Sequence, residues 1–169
     1  MYNFIKIGEN MSISTADLCD KYRDRVQVLE TSLISYGAIS SFNGEIVTIK
    51  LNKNNHGLVE ILRDEKGKGK VAVVDVGKDF YAVVGDTLMG FAYKNGWAGI
   101  VINGYVRDIK MTKTIPVGLF AIGTCPKKSF DHNRAEIGID LNFGGVKFRN
   151  GDYIYVDEDG VVVSNNRLK

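Results

Sequence analysis

VAVVDVGKDFYAVVGDTLMGFAYKNGWAGIVINGYVRD, residues 71–108, decides the fold. It opens with VAVVDVG (71–77), a continuous β-branched run closed by Asp and Gly, the pattern of a strand buried on both faces. KDFYAVVGD (78–86) leads into TLMGFAYKNG (87–96), where Leu88, Met89, Ala92 and Tyr93 fall at helical spacing and Gly96 can end the helix. AGIVING (98–104) is a second buried strand. Strand, helix and strand in that order predict a right-handed β-α-β crossover. The apolar run Ile100-Val101-Ile102 ends at Asn103-Gly104, and Arg107 and Asp108 then stand side by side. Neighbours on a regular strand point to opposite faces. Both can serve one site only where the backbone has turned out of the sheet.

Outward from this unit, ISTADLCDKYRD (13–24) reads as a helix that Ser14 or Thr15 can cap, with Asp17 in its first turn. RVQVLE (25–30) reads as a short strand or extended piece and FNGEIVTIKL (42–51) as a longer strand. NKNNHG (52–57) is a polar loop before the amphipathic helix LVEILRD (58–64). EKGKGK (65–70) is a turn-rich connector. PVGLFAIG (116–123) is a further strand. From 137 to 164, short alternating runs are broken by Gly-Gly, Asn-Gly-Asp and Asp-Glu-Asp-Gly, which is hairpin chemistry. The expectation is an α/β centre, a mixed sheet with a β-α-β crossover, and antiparallel hairpins at the C-terminal end.

At 169 residues, the chain is long enough for one domain with a real core. Residues 1–169 are read as that domain, with 1–12 as an N-terminal extension. The 22 basic and 20 acidic residues nearly cancel. This balance makes no electrostatic case for nucleic acid or for a membrane surface. Two cysteines, Cys19 and Cys125, form no disulfide framework and no C-x-x-C metal motif. The start MYNFIKIGEN lacks the apolar core of a signal peptide, and no apolar run reaches transmembrane length. The expected location is cytoplasmic.

Two segments carry candidate chemistry. In VVGDTLMG, Gly85 and Asp86 stand where a loop enters a helix. Asp86 is placed to cap it. The first turn, Asp86 through Thr87 to Leu88, presents backbone N–H groups and the positive end of the helix dipole. A small carboxylate or phosphate could sit there, with Gly85 allowing close approach. The plain alternative is a capped helix that binds nothing. Arg107 offers a planar fork suited to a carboxylate or enolate oxygen. Asp108 is a hard oxygen ligand suited to Mg²⁺ or Mn²⁺. Together they could hold a 2-oxo acid, although an exposed Arg-Asp pair can also be simply solvated. Twenty residues separate Asp86 from Arg107. The helix and strand between them would bring both ends to the carboxyl edge of the sheet, where open α/β sheets bind ligands.

This D-x20-R-D arrangement with a preceding glycine resembles the signature of the 4-hydroxy-4-methyl-2-oxoglutarate aldolase/RraA-like family, where RraA stands for regulator of ribonuclease activity A. DLCDKY, EKGKGKVAVVD, NGWAGIVINGYVRD, NFGGVKF and NGDYIYVDEDGVVVS also resemble family segments, from about Ile13 to Ser164. The resemblance implies a homotrimer of swivelling β/β/α domains. It implies a divalent-metal-dependent class II aldolase that cleaves 4-hydroxy-4-methyl-2-oxoglutarate into two pyruvates and decarboxylates oxaloacetate. By position, Gly85, Asp86, Thr87 and Leu88 would cradle the pyruvyl carboxylate. Arg107 would bind substrate and stabilise the enolate, Asp108 would anchor Mg²⁺ or Mn²⁺ largely through water, and Asp86 would orient a catalytic water. The chain departs from the family's aldolases in two places. IKMTKT (109–114) has no acidic residue just beyond the R-D pair, and where those enzymes carry a glutamate near a longer C-terminus, the sequence here reads SNNRLK (164–169). Decarboxylation asks less of a second acid/base group. The family also contains inhibitors that bind the protein surface of ribonuclease E, the alternative role. An older label in the family, a methyltransferase of menaquinone synthesis, finds no G-x-G-x-x-G loop here.

Other residues fit plainer roles. His56 and His132 have no metal-ligand partner at helical or hairpin spacing and read as surface-loop residues. Asp157, Asp159 and Gly160 read as a hairpin turn. Trp97 reads as packing, within the chain or between subunits. Asp75, ending a buried strand, either supports the site edge or closes the turn.

Overall fold

The computed structural model describes residues 13–169, so the proposed extension 1–12 lies outside the described residues. The chain begins with α1 (Thr15–Tyr22), β1 (Gln27–Val28), β2 (Ile34–Ser35), β3 (Phe42–Lys50) and α2 (His56–Asp64). The centre is β4 (Lys70–Asp75), β5 (Ala82–Val84), α3 (Asp86–Lys94), β6 (Gly99–Val106), α4 (Ile109–Thr112) and β7 (Gly118–Thr124). The last third is β8 (Glu136–Ile137), β9 (Leu141–Phe143), β10 (Val146–Phe148), β11 (Tyr153–Val156) and β12 (Val161–Ser164).

The main sheet runs β1-β12-β11-β3-β4-β6-β7-β2. Its centre, β3-β4-β6-β7, is parallel, and the strands outside it on this path are antiparallel. Parallel neighbours need crossovers. α2 supplies the one between β3 and β4, α3 the one between β4 and β6, and the short α4 lies in the one between β6 and β7. Both faces of the centre are covered, so β4 reads as an unbroken apolar run yet still sorts its side chains by parity. Ala72 and Val74 join the layer beneath α2 and α3 with Ile61, Leu62, Met89 and Ile102. Val71 and Val73 join the opposite layer with Val101, Phe148 and Ile154, roofed by the two-stranded β9-β10 sheet. The order of layers is β/β/α, as the family resemblance implied. No described helix is long and apolar enough to cross a membrane.

Local chemistry explains the boundaries. Ser14 caps α1 by accepting the Asp17 N–H at 3.2 Å. The helix then stops at Tyr22, and residues 23–25 tighten into a 3₁₀ turn. The expected strand at 25–30 therefore shrinks to Gln27–Val28. The polar loop 52–57 ends earlier than its composition suggests. The Asn54 carboxamide accepts the His56 N–H at 3.0 Å and starts α2 at His56. The Gly144-Gly145 pair, both at positive φ, makes the tight β9–β10 hairpin. Asp157–Gly160 closes the β11–β12 hairpin. Asn150-Gly151-Asp152, expected to be a third hairpin, instead carries the chain from the small sheet onto β3, where Ile46 bonds to both Gly151 and Asp152. Trp97 is packing within this chain, 3% exposed and flat against Gly67. The Phe42 ring fills the space in front of Gly99 and Gly118, where any β-carbon would collide with it.

Asp75 closes its turn and stitches the carboxyl edge of the sheet. Its carboxylate accepts from Lys50 Nζ at 2.5 Å, Asn103 Nδ2 at 2.9 Å and the Gly77 N–H at 3.0 Å. Burial alone would raise its pKa. The bonds from Lys50, Gly77 and Asn103 outweigh that and hold it below the usual carboxylate range. A lowered folded pKa stabilises the fold above the unfolded value and loses that contribution as pH falls through the folded one. Asp75→Asn should cost about 1–3 kcal/mol at pH 7 and flatten the acid limb of stability below about pH 4, read by urea unfolding across pH.

Candidate active site

Along the edge away from β7, β6 has two parallel partners in succession. Val71 to Asp75 pair with Gly99 to Asn103. A register shift follows against β7 between Ile102 and Tyr105, and β5 takes over: Ala82 lies beside Tyr105 and Val84 beside Val106. The strand therefore does not end at Asn103-Gly104, as the apolar run suggested. It bulges and continues to Val106. The Arg107 N–H donates to the Val84 carbonyl at 2.9 Å. Gly85 and Arg107, far apart in sequence, thus leave the sheet side by side.

Both chains turn there. Gly85, extended at φ −135, is the cap position of α3, and Asp86 is its first helical residue. This corrects the assignment of the cap to Asp86. From its place inside the helix the Asp86 carboxylate still accepts the Thr87 N–H at 2.8 Å. Asp108 takes the left-handed conformation, φ 56 and ψ 35, which Asp tolerates better than most residues. Its carbonyl accepts from Met111 and Thr112, starting the unexpected short helix α4. This left-handed turn lets two adjacent charged residues serve one face. Arg107 Nε lies 3.7 Å from Asp108 Oδ2, and its Nη1 reaches the Pro126 carbonyl at 3.4 Å. The Asp108 carboxylate fills the space a β-carbon at Gly85 would need.

Between these turns lies a cleft of about 390 Å³ lined by Gly85 to Leu88, Arg107 and Asp108, within the size range of small-molecule sites. All the predicted site residues line it. Other lining residues were not foreseen: Asn55, His56, Lys128, Phe130 and His132. Both histidines are exposed, but His56 belongs to α2, not to a loop. Nothing in their spacing links residues so distant in the chain.

Asp86 and Asp108 are the carboxylates lining the cleft. Among the described residues, no three His, Cys, Asp or Glu side chains gather as a metal cage. Asp108 alone, with its side chain 44% exposed, still fits a Mg²⁺-type ion that keeps most of its waters and needs only one or two carboxylates. The cleft lies at the carboxyl edge of a parallel sheet, within a swivelling β/β/α domain, and these define an α/β protein of mixed sheet. Residues 15–163 match the RraA-like family model, described as Aldolase/RraA, and the chain belongs to that family.

Relatives within it carry different names. A protein of Aromatoleum aromaticum named "Putative 4-hydroxy-4-methyl-2-oxoglutarate aldolase" is 43% identical over 159 residues, covering 94% of this chain and 99% of that one. A Geobacillus kaustophilus crystal structure described as S-adenosylmethionine:2-dimethylmenaquinone methyltransferase is 41% identical, with TM-score 0.88, over 92% of this chain and 97% of that one. The RNA-processing inhibitor RraA from Thermus thermophilis is 32% identical, with TM-score 0.89, over 94% of this chain and 96% of that one.

The contact between Gly85 and Asp108 is open to test. The exposed carboxylate can swing away from an added methyl, so Gly85→Ala should change unfolding free energy by less than about 1 kcal/mol. A crystal structure of the variant should show the Asp108 side chain in a different rotamer, out of the cleft.

Proposed function

We propose that this protein is a divalent-metal-dependent carbon–carbon lyase acting on small 2-oxo acids. The reactions are cleavage of 4-hydroxy-4-methyl-2-oxoglutarate into two pyruvates and decarboxylation of oxaloacetate. The observation that carries this reading is that Arg107, its backbone held on Val84, lines the same cleft as the first turn of α3, with the Asp108 carboxylate 3.7 Å from its Nε. Both reactions break the C3–C4 bond and leave the bonding pair on a pyruvate enolate. In one, the other fragment leaves as CO₂. In the other, the C4 hydroxyl loses its proton and the fragment leaves as a second pyruvate. A site that stabilises the enolate serves both.

In this reading the residues divide the work. The backbone around Gly85, Asp86, Thr87 and Leu88 receives the C1 carboxylate at the positive end of α3. The Thr87 N–H is already met by Asp86, so a substrate carboxylate arriving there releases the Asp86 side chain to orient water. Arg107 faces the 2-oxo oxygen and takes up its growing charge through directional N–H bonds. Asp108 holds Mg²⁺ or Mn²⁺, whose positive charge polarises the 2-oxo group when bound. The water held by Asp86 and Arg107 exchanges the proton that the hydroxyl loses and the enolate gains. The working form is a homotrimer in this reading, in the cytoplasm.

The RNA-processing inhibitor among the relatives supports a second reading, regulation by binding the protein surface of ribonuclease E. In that case capture of the ribonuclease survives Arg107→Ala.

The purified protein with Mg²⁺ or Mn²⁺ should release pyruvate from oxaloacetate faster than metal alone, and a chelator should remove the excess. Arg107→Ala and Asp108→Ala should each abolish it. Asp108→Asn, which suits the left-handed turn equally well, should fold normally and be equally inactive. No excess over free metal in a coupled pyruvate assay overturns the enzyme reading.

A further inference from the structure

The same cleft carries a feature that the proposed chemistry leaves unused. The rings of His56 and His132 are stacked, with centroids 5.0 Å apart and planes 26° from parallel. They arrive from distant segments and are held by a buried polar clamp. Asn54, 2% exposed, donates to the Asn133 carbonyl at 2.5 Å and the Asn52 carbonyl at 3.0 Å. Its own side-chain oxygen accepts the His56 N–H. Its backbone carbonyl accepts the Tyr81 hydroxyl at 3.0 Å. Burial pushes that phenol up to about 12, so it remains a donor. Gly57 completes the clamp, because any side chain there would strike Ala135. The loop bearing His132 is thereby fixed against the start of α2, and the ring pair is preset.

The chemistry of the pair narrows its use. Each imidazole offers at least one N–H donor, and the stack keeps the two rings 5.0 Å apart. Among the described residues no third ligand joins them as in a metal cage. Two N–H donors this close suit a carboxylate, whose two oxygens can accept one each. Lys128 lines the same cleft and adds positive charge. Asp131, the acidic neighbour of His132, lines an adjoining concavity instead.

We propose that His56 and His132 form a subsite for the second carboxylate of a dicarboxylic 2-oxo acid, selecting such substrates over monocarboxylic ones. This rests on the reading of the Arg107 end as the site of the 2-oxo acid head. The extended ligand then spans the cleft, its head at α3 and its distal carboxylate at the rings.

A matched pair of ligands isolates the second carboxylate. 2-Oxoglutarate and 2-oxopentanoate have the same chain length and differ at the far end, carboxylate against methyl. Calorimetric titration with Mg²⁺ should show the wild type binding 2-oxoglutarate about tenfold or more tightly, the scale of one or two hydrogen bonds to a charged group. Both rings are exposed, so His56→Ala/His132→Ala should fold, and in it the preference should collapse to within about twofold. Equal binding of the two ligands by the wild type, or a preference that survives in the double variant, overturns the subsite and leaves the lyase reading standing. If the wild type binds neither ligand, the 2-oxo acid reading falls and the subsite with it.

Discussion

One hydrogen bond, from the Arg107 N–H to the Val84 carbonyl, ties together the two halves of the cleft. It exists because β6 changes partner along its length, from β4 to β5. β5 is short, but the residue that follows it is Gly85, the cap of α3. Without this exchange the start of α3 and the end of β6 would leave the sheet with no fixed relation. With it, backbone amides, a guanidinium and a carboxylate share one concave surface. The rest of the fold holds that junction in place, with apolar layers on both faces of β4 and β6 and the Asp75 network across the carboxyl edge.

The junction also shows how backbone conformation does chemical work. Arg107 and Asp108 are neighbours in sequence, and a regular strand would send them to opposite faces. The left-handed turn at Asp108 removes that restriction. Gly85 contributes by what it lacks, since its missing β-carbon makes room for the Asp108 carboxylate. A permissive residue on one loop and an unusual conformation on the other therefore solve a single steric problem.

Much of this was legible in the residues. The buried runs at 71–77 and 98–104, with a helical spacing between them, specify parallel strands and a crossover because long apolar runs leave few alternatives. Gly144-Gly145 names its hairpin because both positions take positive φ, which glycine adopts without steric cost. The elements that escaped are short. Ala82–Val84, Ile34–Ser35 and Ile109–Thr112 hold too few residues for any period to show. Asn103-Gly104 carries turn residues yet lies within a strand, because neighbours on both sides hold it through a bulge. The start of α2 depends on a side chain, Asn54, two positions earlier. The pairing of His56 with His132 is purely tertiary, and no spacing along one chain encodes it.

The aromatic ring at Phe42 has a consequence for how this lineage can drift. It occupies the volume that side chains at two neighbouring strand starts, Gly99 and Gly118, would otherwise claim. These three sites share one fixed allotment of space, so none is free to vary by itself. An alanine at either glycine becomes tolerable only after the ring shrinks, which makes substitution here a matter of order: the large residue must yield first.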